Sequence, residues 1–401
     1  MLGNNTSDYS ATRSVASGST TPSLSTYESV TPYGHVTPLP QQNNCFLNKY
    51  VSIKELGKGA YGSVLLAKRA TPTNNPKQDP LQQQPYVAIK CQQITETIPS
   101  PVPSTTTSTT STSPPPNIIR ERLNIPAAYI RELMVLQTMT RSCIKDSFPF
   151  LVQLLDHGKD VDRAYLVLEY CPSTLACSLR ERSCFNMNWS AHITYQLTLT
   201  LAYLSIHGIM HRDMKPSNIM LQHTTPGNPP LIKLIDFGLA RREWVPARPY
   251  SPAVQTVIYR APEVFFQQEF PVGGGRAGKQ YTSAIDVWSV ACIFAECLTG
   301  KQLFKGESEI AVRQDIVETL GRPEEDCFEF ETLEIVGALH PGKSLKARFQ
   351  RHCSEHPGFL ALMEGMFEYS PKKRLTPSAI LLHPFFASIK EHYERWVELV
   401  I

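Results

Sequence analysis

The chain holds no apolar run approaching about 18 residues, the length a helix needs to cross a bilayer, so no membrane span is expected. Glycine stands at position 3 and not at position 2, which removes the pattern for an N-terminal myristoyl anchor. Its 10 cysteines form no C-x-x-C pair and no secretion signal precedes them. That argues against a secreted disulfide framework and places reduced thiols in the nucleus or the cytoplasm. Charge of one sign is missing too: 39 Lys and Arg face 36 Asp and Glu, a formal net charge of +3. The basic residues are dispersed, so nothing argues for nucleic-acid binding.

What is present divides the 401 residues unevenly. Residues 1–48 are rich in Ser, Thr, Asn and Pro and read as a disordered tail. The tail contains Thr21-Pro22, Thr31-Pro32 and Thr37-Pro38, which read as targets of a proline-directed enzyme or as incidental pairs in a flexible segment. Residues 49–387 are long enough for one domain with a sizeable core. Two insertions, about 70–85 and 95–117, interrupt it, the second carrying the low-complexity run Thr105 to Ser113. An extension over 388–401 follows.

The densest chemistry lies in His211-Arg212-Asp213-Met214-Lys215-Pro216-Ser217-Asn218. An aspartate can take the proton of an attacking hydroxyl, and an amide oxygen five residues on can hold a magnesium ion beside a transferred phosphate. Polar loops of this composition are equally common as turns, so spacing alone leaves both readings open. Upstream, Gly57-Lys58-Gly59-Ala60-Tyr61-Gly62-Ser63-Val64 lies between two strand-like stretches. A dinucleotide-binding turn would need a helix directly after the glycines, whereas Ser63 to Ala67 reads as strand, so a glycine hairpin is expected. Val87-Ala88-Ile89-Lys90 reads as an apolar strand ending in lysine, and Glu132, on a helix, is a partner for it. Leu231 to Ile235 forms a short strand delivering Asp236-Phe237-Gly238, and Ala261-Pro262-Glu263 closes the segment that begins there.

These elements, in this order from about Tyr50 to Phe386, resemble the signature set of protein kinases. The resemblance implies an α+β, bilobed fold: a small, mainly antiparallel β N-lobe with one regulatory helix, and a larger, mainly helical C-lobe. It implies a serine/threonine protein kinase using ATP and Mg2+ on protein substrates, since Lys215 stands two residues after the aspartate. By the same resemblance Leu56, Gly57, Lys58, Gly59, Ala60, Tyr61, Gly62, Ser63, Val64 and Ala88 would surround the nucleotide. Lys90 would hold the α- and β-phosphates, oriented by Glu132, and Asp213 would be the base, with Lys215 and Thr256 in the catalytic set. Asn218 and Asp236 would hold the metal ions. Leu168 would be the gatekeeper of the adenine pocket, and Glu169 to Cys171 the hinge. Glu263 would pair with Arg374 as a structural tie. A pseudokinase acting as a binding module is the reading of another class; the presence of Lys90, Asp213, Asn218 and Asp236 speaks against it.

Pro126-Ala127-Ala128-Tyr129-Ile130-Arg131-Glu132 is similar to the PSTAIRE helix of cyclin-dependent kinases. The segment Asp236 to Glu263 and the run Asp286 to Glu296 are close to the same family, whose members dock a cyclin on this helix. An insertion beside it and Tyr129 within it, in place of a small residue, leave open a single-subunit kinase that activates other cyclin-dependent kinases. Ser251 falls at the family's activating phosphorylation position, with Arg131, Arg212 and Arg241 as receivers of the phosphate, and Tyr61 matches an inhibitory tyrosine. Gln255 replaces a small apolar residue in the pocket for the residue after the acceptor, which puts a preference for proline there in question.

Overall fold

The computed structural model describes residues 49–59, 62–70, 85–96, 123–141, 148–160, 162–222, 227–243, 254–266, 270–272, 276–278, 281–323 and 344–401. The N-terminal tail, all but the edges of the two insertions, Ala60, Tyr61 and Ser251 lie outside the described residues. Five antiparallel strands form the N-lobe sheet: β1 (Tyr50–Gly59), β2 (Gly62–Arg69), β3 (Tyr86–Gln93), β4 (Leu154–Lys159) and β5 (Arg163–Glu169), in the order β1-β2-β3-β5-β4. The helix α1 (Ala127–Arg141) lies between β3 and β4 in the chain.

Side chains alternate across a strand, and β3 divides its residues accordingly. Val87, Ile89 and Cys91 are buried with Tyr50, Leu65, Ala67, Tyr165 and Val167 in a small core on one face of the sheet. Ala88 and Lys90 belong to the opposite face, in register with Leu168 and Leu166, which join the larger core of the molecule. In α1, Tyr129, Glu132, Leu136 and Met139 recur at helical spacing on the buried side, while Ile130 and Met134 face outward. A carboxylate in that buried stripe needs a partner to be stable there.

The C-lobe is built around two helices, α3 (Met187–Ile206) and α5 (Ala284–Thr299), each buried along almost its whole length. Between β5 and α3 runs the short α2 (Leu175–Arg182), begun by Thr174, whose Oγ1 accepts the Cys177 N–H at 3.1 Å. Asn186 caps α3 by accepting the Trp189 N–H at 2.8 Å; each such cap is worth about 1 kcal/mol. Two short antiparallel strands, β6 (Ile219–Gln222) and β7 (Leu231–Leu234), run in the register Ile219↔Leu234. After them come α4 (Pro262–Phe266) and α6 (Glu309–Leu320), the latter capped by Ser308.

Glu263 on α4 and Arg374 form the expected tie. Two parallel bonds of 2.7 and 2.9 Å join the guanidinium to the carboxylate, both buried. The remaining three N–H groups of Arg374 reach the carbonyls of Glu368, Ala284 and Tyr369, so all five donors of the fork are used. The C-terminal extension folds back onto the body: Ile389, Tyr393, Val397 and Val400 are buried, and Trp396 meets Phe150 edge-on at 5.1 Å.

Candidate active site

The loop His211–Asn218 is held from beneath by α5. Asp286, buried in the first turn of that helix, accepts the backbone N–H groups of His211 and Arg212 at 2.8 and 2.9 Å. The His211 ring then takes one role per nitrogen. Nδ1 accepts the Asp213 N–H at 3.2 Å, so Nε2 carries the proton and donates to the Ile235 carbonyl at 3.0 Å. These bonds present the Asp213 side chain. Thr256 donates to its Oδ1 at 3.1 Å, and Lys215 Nζ and Asn218 Nδ2 reach its Oδ2 at 2.7 and 3.1 Å. Lys215 also reaches Thr256 Oγ1 at 3.3 Å.

Strand register brings Asn218 to Asp236. Extending the β6–β7 ladder by one residue pairs Asn218 with Ile235, whose N–H donates to the Asn218 carbonyl at 3.0 Å. Asp236 follows at once. Among the described residues the Asn218 side chain bonds through Nδ2 alone, leaving its amide oxygen for a cation, and the donor set of one carboxylate and one amide oxygen suits Mg2+, which prefers oxygen ligands and keeps several from phosphate or water. Among the described residues no cluster of three or more His, Cys, Asp or Glu forms a complete protein cage.

Lys90 is not a solvated strand end. Its Nζ lies 2.6 Å from Glu132 Oε2 and 2.8 Å from Asp236 Oδ1, joining β3, α1 and the segment after β7. Burial would lower its pKa, but the two carboxylates outweigh that and hold the ammonium above its ordinary value. Asp236 moves the other way: burial opposes its ionisation, yet Lys90 and the Gly238 N–H keep its carboxyl below the usual range. Phe237 is buried against the His211 ring at 5.0 Å, and its N–H reaches Glu132. Asp236 adopts φ 65°, the left-handed region, where a non-glycine residue is held only by its surroundings.

The glycine hairpin has the expected form, with Lys58 opposite Ser63 and Gly59 opposite Gly62. Its glycines differ in what requires them. A Cβ on Gly62 would come within 1.8 Å of the Cys91 carbonyl, so β3 demands glycine there, whereas Gly57 has nothing within 4 Å and borders open space. Leu56 is exposed on the same strand, and Val64 pairs opposite Lys90. Leu168 is buried opposite Ala88. At the hinge the Glu169 N–H is taken by the Gln153 carbonyl at 3.0 Å. Its carboxylate is pinned by the Gln153 N–H and by Lys233 at 2.7 and 2.9 Å. Cys171 is buried, with no backbone partner among the described residues.

The three arginines converge on the segment after Asp236. Arg131 Nε donates to the Gly238 carbonyl and Arg212 Nε to that of Leu239, each at 2.8 Å, and Arg241 pairs across a strand with Met210. Arg212 also donates to the Tyr281 hydroxyl at 2.7 Å. Gln255 stands on the same segment as Thr256. It is buried and its amide bonds to α5, at the Ile285 carbonyl and Ser289 Oγ.

Sequence reasoning gave Asp286 no role and did not see the Glu169–Lys233 pair. The one available signal was that Asp286 opens a helix that is otherwise largely apolar, where an unpaired carboxylate would be costly.

The family profile described as protein kinase domain matches residues 119–386, beginning after β3. Cell division control protein 2 homolog 3 of Trypanosoma brucei brucei is 34% identical over 267 residues, 66% of this chain and 79% of that protein. Cell division control protein 2 homolog D of Antirrhinum majus is 32% identical over 278 residues, 65% of this chain and 80% of the relative. Cyclin-dependent kinase B2-1 of Arabidopsis thaliana is 29% identical over 290 residues, 67% and 82% of the two chains.

Proposed function

Because this chain belongs to the protein kinase family, among the cyclin-dependent kinases, we propose that it transfers the γ-phosphate of ATP to serine or threonine hydroxyls of proteins, with Asp213 as the base. The observation that carries this reading is the double contact of Lys90 with Glu132 and Asp236 at 2.6 and 2.8 Å, the arrangement phosphoryl transfer by this family requires. Asp213 accepts the proton of the hydroxyl as the hydroxyl oxygen bonds to the γ-phosphorus and the bond from that phosphorus to the β–γ bridging oxygen breaks, releasing ADP. Lys215, 2.7 Å from Asp213 Oδ2, supplies positive charge beside the transferred group, and Thr256 keeps the carboxylate in one orientation. Lys90 holds the α- and β-phosphates under the glycine hairpin. Mg2+, taken by Asn218 and Asp236, supplies charge neutralisation when bound. Asp213→Asn tests the assignment: Mg-ATP-dependent phosphorylation of a Ser/Thr peptide should fall by about three orders of magnitude or more. Equal rates would favour the pseudokinase.

A second reading concerns the partner. Cyclin-dependent kinase B2-1 names a cyclin, and the outward Ile130 and Met134 of α1 offer a surface for one. Tyr129 supports a different account, in which the chain works alone and activates other cyclin-dependent kinases. Its hydroxyl, buried, lies 3.3 Å from the carbonyls of Gly158 and Tyr165, a bond that ties α1 to β4 and β5 from within. Burial pushes its pKa up to about 12, so it remains a donor throughout the physiological range. Tyr129→Phe should lower the activity of the chain alone about fivefold to tenfold, the value of one buried hydrogen bond, and added cyclin should restore it. Full activity of Tyr129→Phe alone removes this support.

A further inference from the structure

Residue 255 sits at φ 62°, a backbone conformation that costs an L side chain stability and for which glutamine has no special aptitude. Its side chain explains how it is held. Nε2 donates to the Ile285 carbonyl at 3.0 Å and to Ser289 Oγ at 2.8 Å, both on α5, and Oε1 accepts the Ala261 N–H at 3.1 Å. The backbone is equally engaged: the Gln255 N–H donates to the Arg212 carbonyl at 3.1 Å, and its own carbonyl accepts from Arg260 Nη2 at 3.2 Å. Thus every polar group of this buried residue has a protein partner.

The partners fall on one template. Asp286 of α5 holds the N–H groups of His211 and Arg212. Less than one turn further along, Ser289 holds Gln255, and Gln255 returns to the Arg212 carbonyl. The catalytic loop and the segment beginning at Gln255 are therefore set by the same helix. The next residue, Thr256, carries the hydroxyl that reaches Asp213 Oδ1 at 3.1 Å.

We propose that Gln255 is a positioning residue: its side-chain amide, anchored on Ser289 and Ile285, fixes the left-handed turn that sets Thr256 against Asp213. The proposal rests on the kinase reading above. An apolar side chain could fill the same space but would leave the Ala261 N–H without its acceptor and the turn without its anchor, a loss felt at the base and not at the nucleotide.

The test uses the full chain, Mg-ATP and a Ser/Thr peptide, with Gln255→Met, Gln255→Glu and Ser289→Ala compared at equal folded fraction by thermal melting. Gln255→Glu keeps the length and the acceptor oxygen but has no Nε2 donors, and serves if the methionine variant does not fold. The expected result is a fall of about tenfold or more in kcat for the peptide with the KM for ATP within about twofold of native. The double variant Gln255→Met with Ser289→Ala should lose less than the product of the two single losses, because both remove one contact. Native kcat in Gln255→Met or Gln255→Glu overturns the proposal, as does a rise in the KM for ATP that parallels the loss of kcat. A native chain that phosphorylates the peptide no faster than Asp213→Asn removes the kinase reading and this inference with it.

Discussion

Asp286 need not touch ATP or the acceptor, yet the placement of Asp213, the proposed base, depends on it. Both its oxygens accept backbone N–H groups of the catalytic loop, so Asp286→Asn must turn an NH2 group toward a donor. Peptide phosphorylation by that variant should fall about 100-fold, the usual cost of displacing a catalytic group by about 1 Å; an unchanged rate would mean the loop is held some other way. The Lys90–Asp236 pair behaves differently toward pH. Asp236 is held below its ordinary 3.8, so its contribution is present above that value and is lost only as pH falls through a still lower one. Lys90 is held above 10.5, so its contribution is present below that value and is lost as pH rises through a higher one. ATP affinity measured by titration should therefore show no inflection from Lys90 or Asp236 between about pH 6 and pH 9. At this scale the sequence is most readable where chemistry is local. Asp213, Lys215 and Asn218 lie within six residues, and Asp236 heads its own short motif. Asp286 and Ser289 are hidden because their partners lie some 30 to 75 positions away.

Among the elements, α1 and the C-terminal extension carry the more specific consequences. His192 of α3 is buried where its Nδ1 meets the Tyr393 hydroxyl of the extension at 2.8 Å, with the His392 ring 5.4 Å away. Burial lowers its pKa from 6.5 to about 4, so the folded chain holds it neutral. A histidine depressed in this way contributes stability above its unfolded value and loses it as pH falls toward the folded one. Acidification from about pH 7 to pH 5 should cost native protein about 2 kcal/mol more than it costs His192→Gln, read as the shift in thermal or urea midpoint. An equal loss in both proteins would contradict the assignment. The sequence foresaw an extension over 388–401 without its docking, since a Tyr and a Trp near a chain end do not declare which aromatic surface they meet. Strand β1 was likewise legible in outline only. The strand expected from Tyr50 to Leu56 continues to Gly59, but pairing with β2 shifts between Ser52 and Lys54 and again between Glu55 and Gly57. Such irregularities belong to the partner strand's register, which a single strand's pattern does not contain.

At the scale of the whole molecule, a small core on one face of the N-lobe sheet and a large one through the C-lobe leave the Lys90 face of the sheet turned toward Asp236. The bilobed class was readable because glycine hairpin, lysine strand, helix and catalytic loop follow in fixed order. The placement of the cleft was not, since it depends on β5 lying between β3 and β4. The tie between Glu263 and Arg374 fastens the end of the acceptor segment to the last helices. Removing the carboxylate leaves a buried guanidinium uncompensated, so Glu263→Ala should cost about 3–5 kcal/mol in urea unfolding; a loss under about 1 kcal/mol would show the pair to be dispensable. The central claim, that this arrangement moves phosphate, is tested most directly by the transfer of labelled γ-phosphate from Mg-ATP to a Ser/Thr peptide by the purified native chain and by Asp213→Asn, each with and without cyclin. The account predicts transfer by the native chain and near-background transfer by the variant. Equal transfer by both would contradict it.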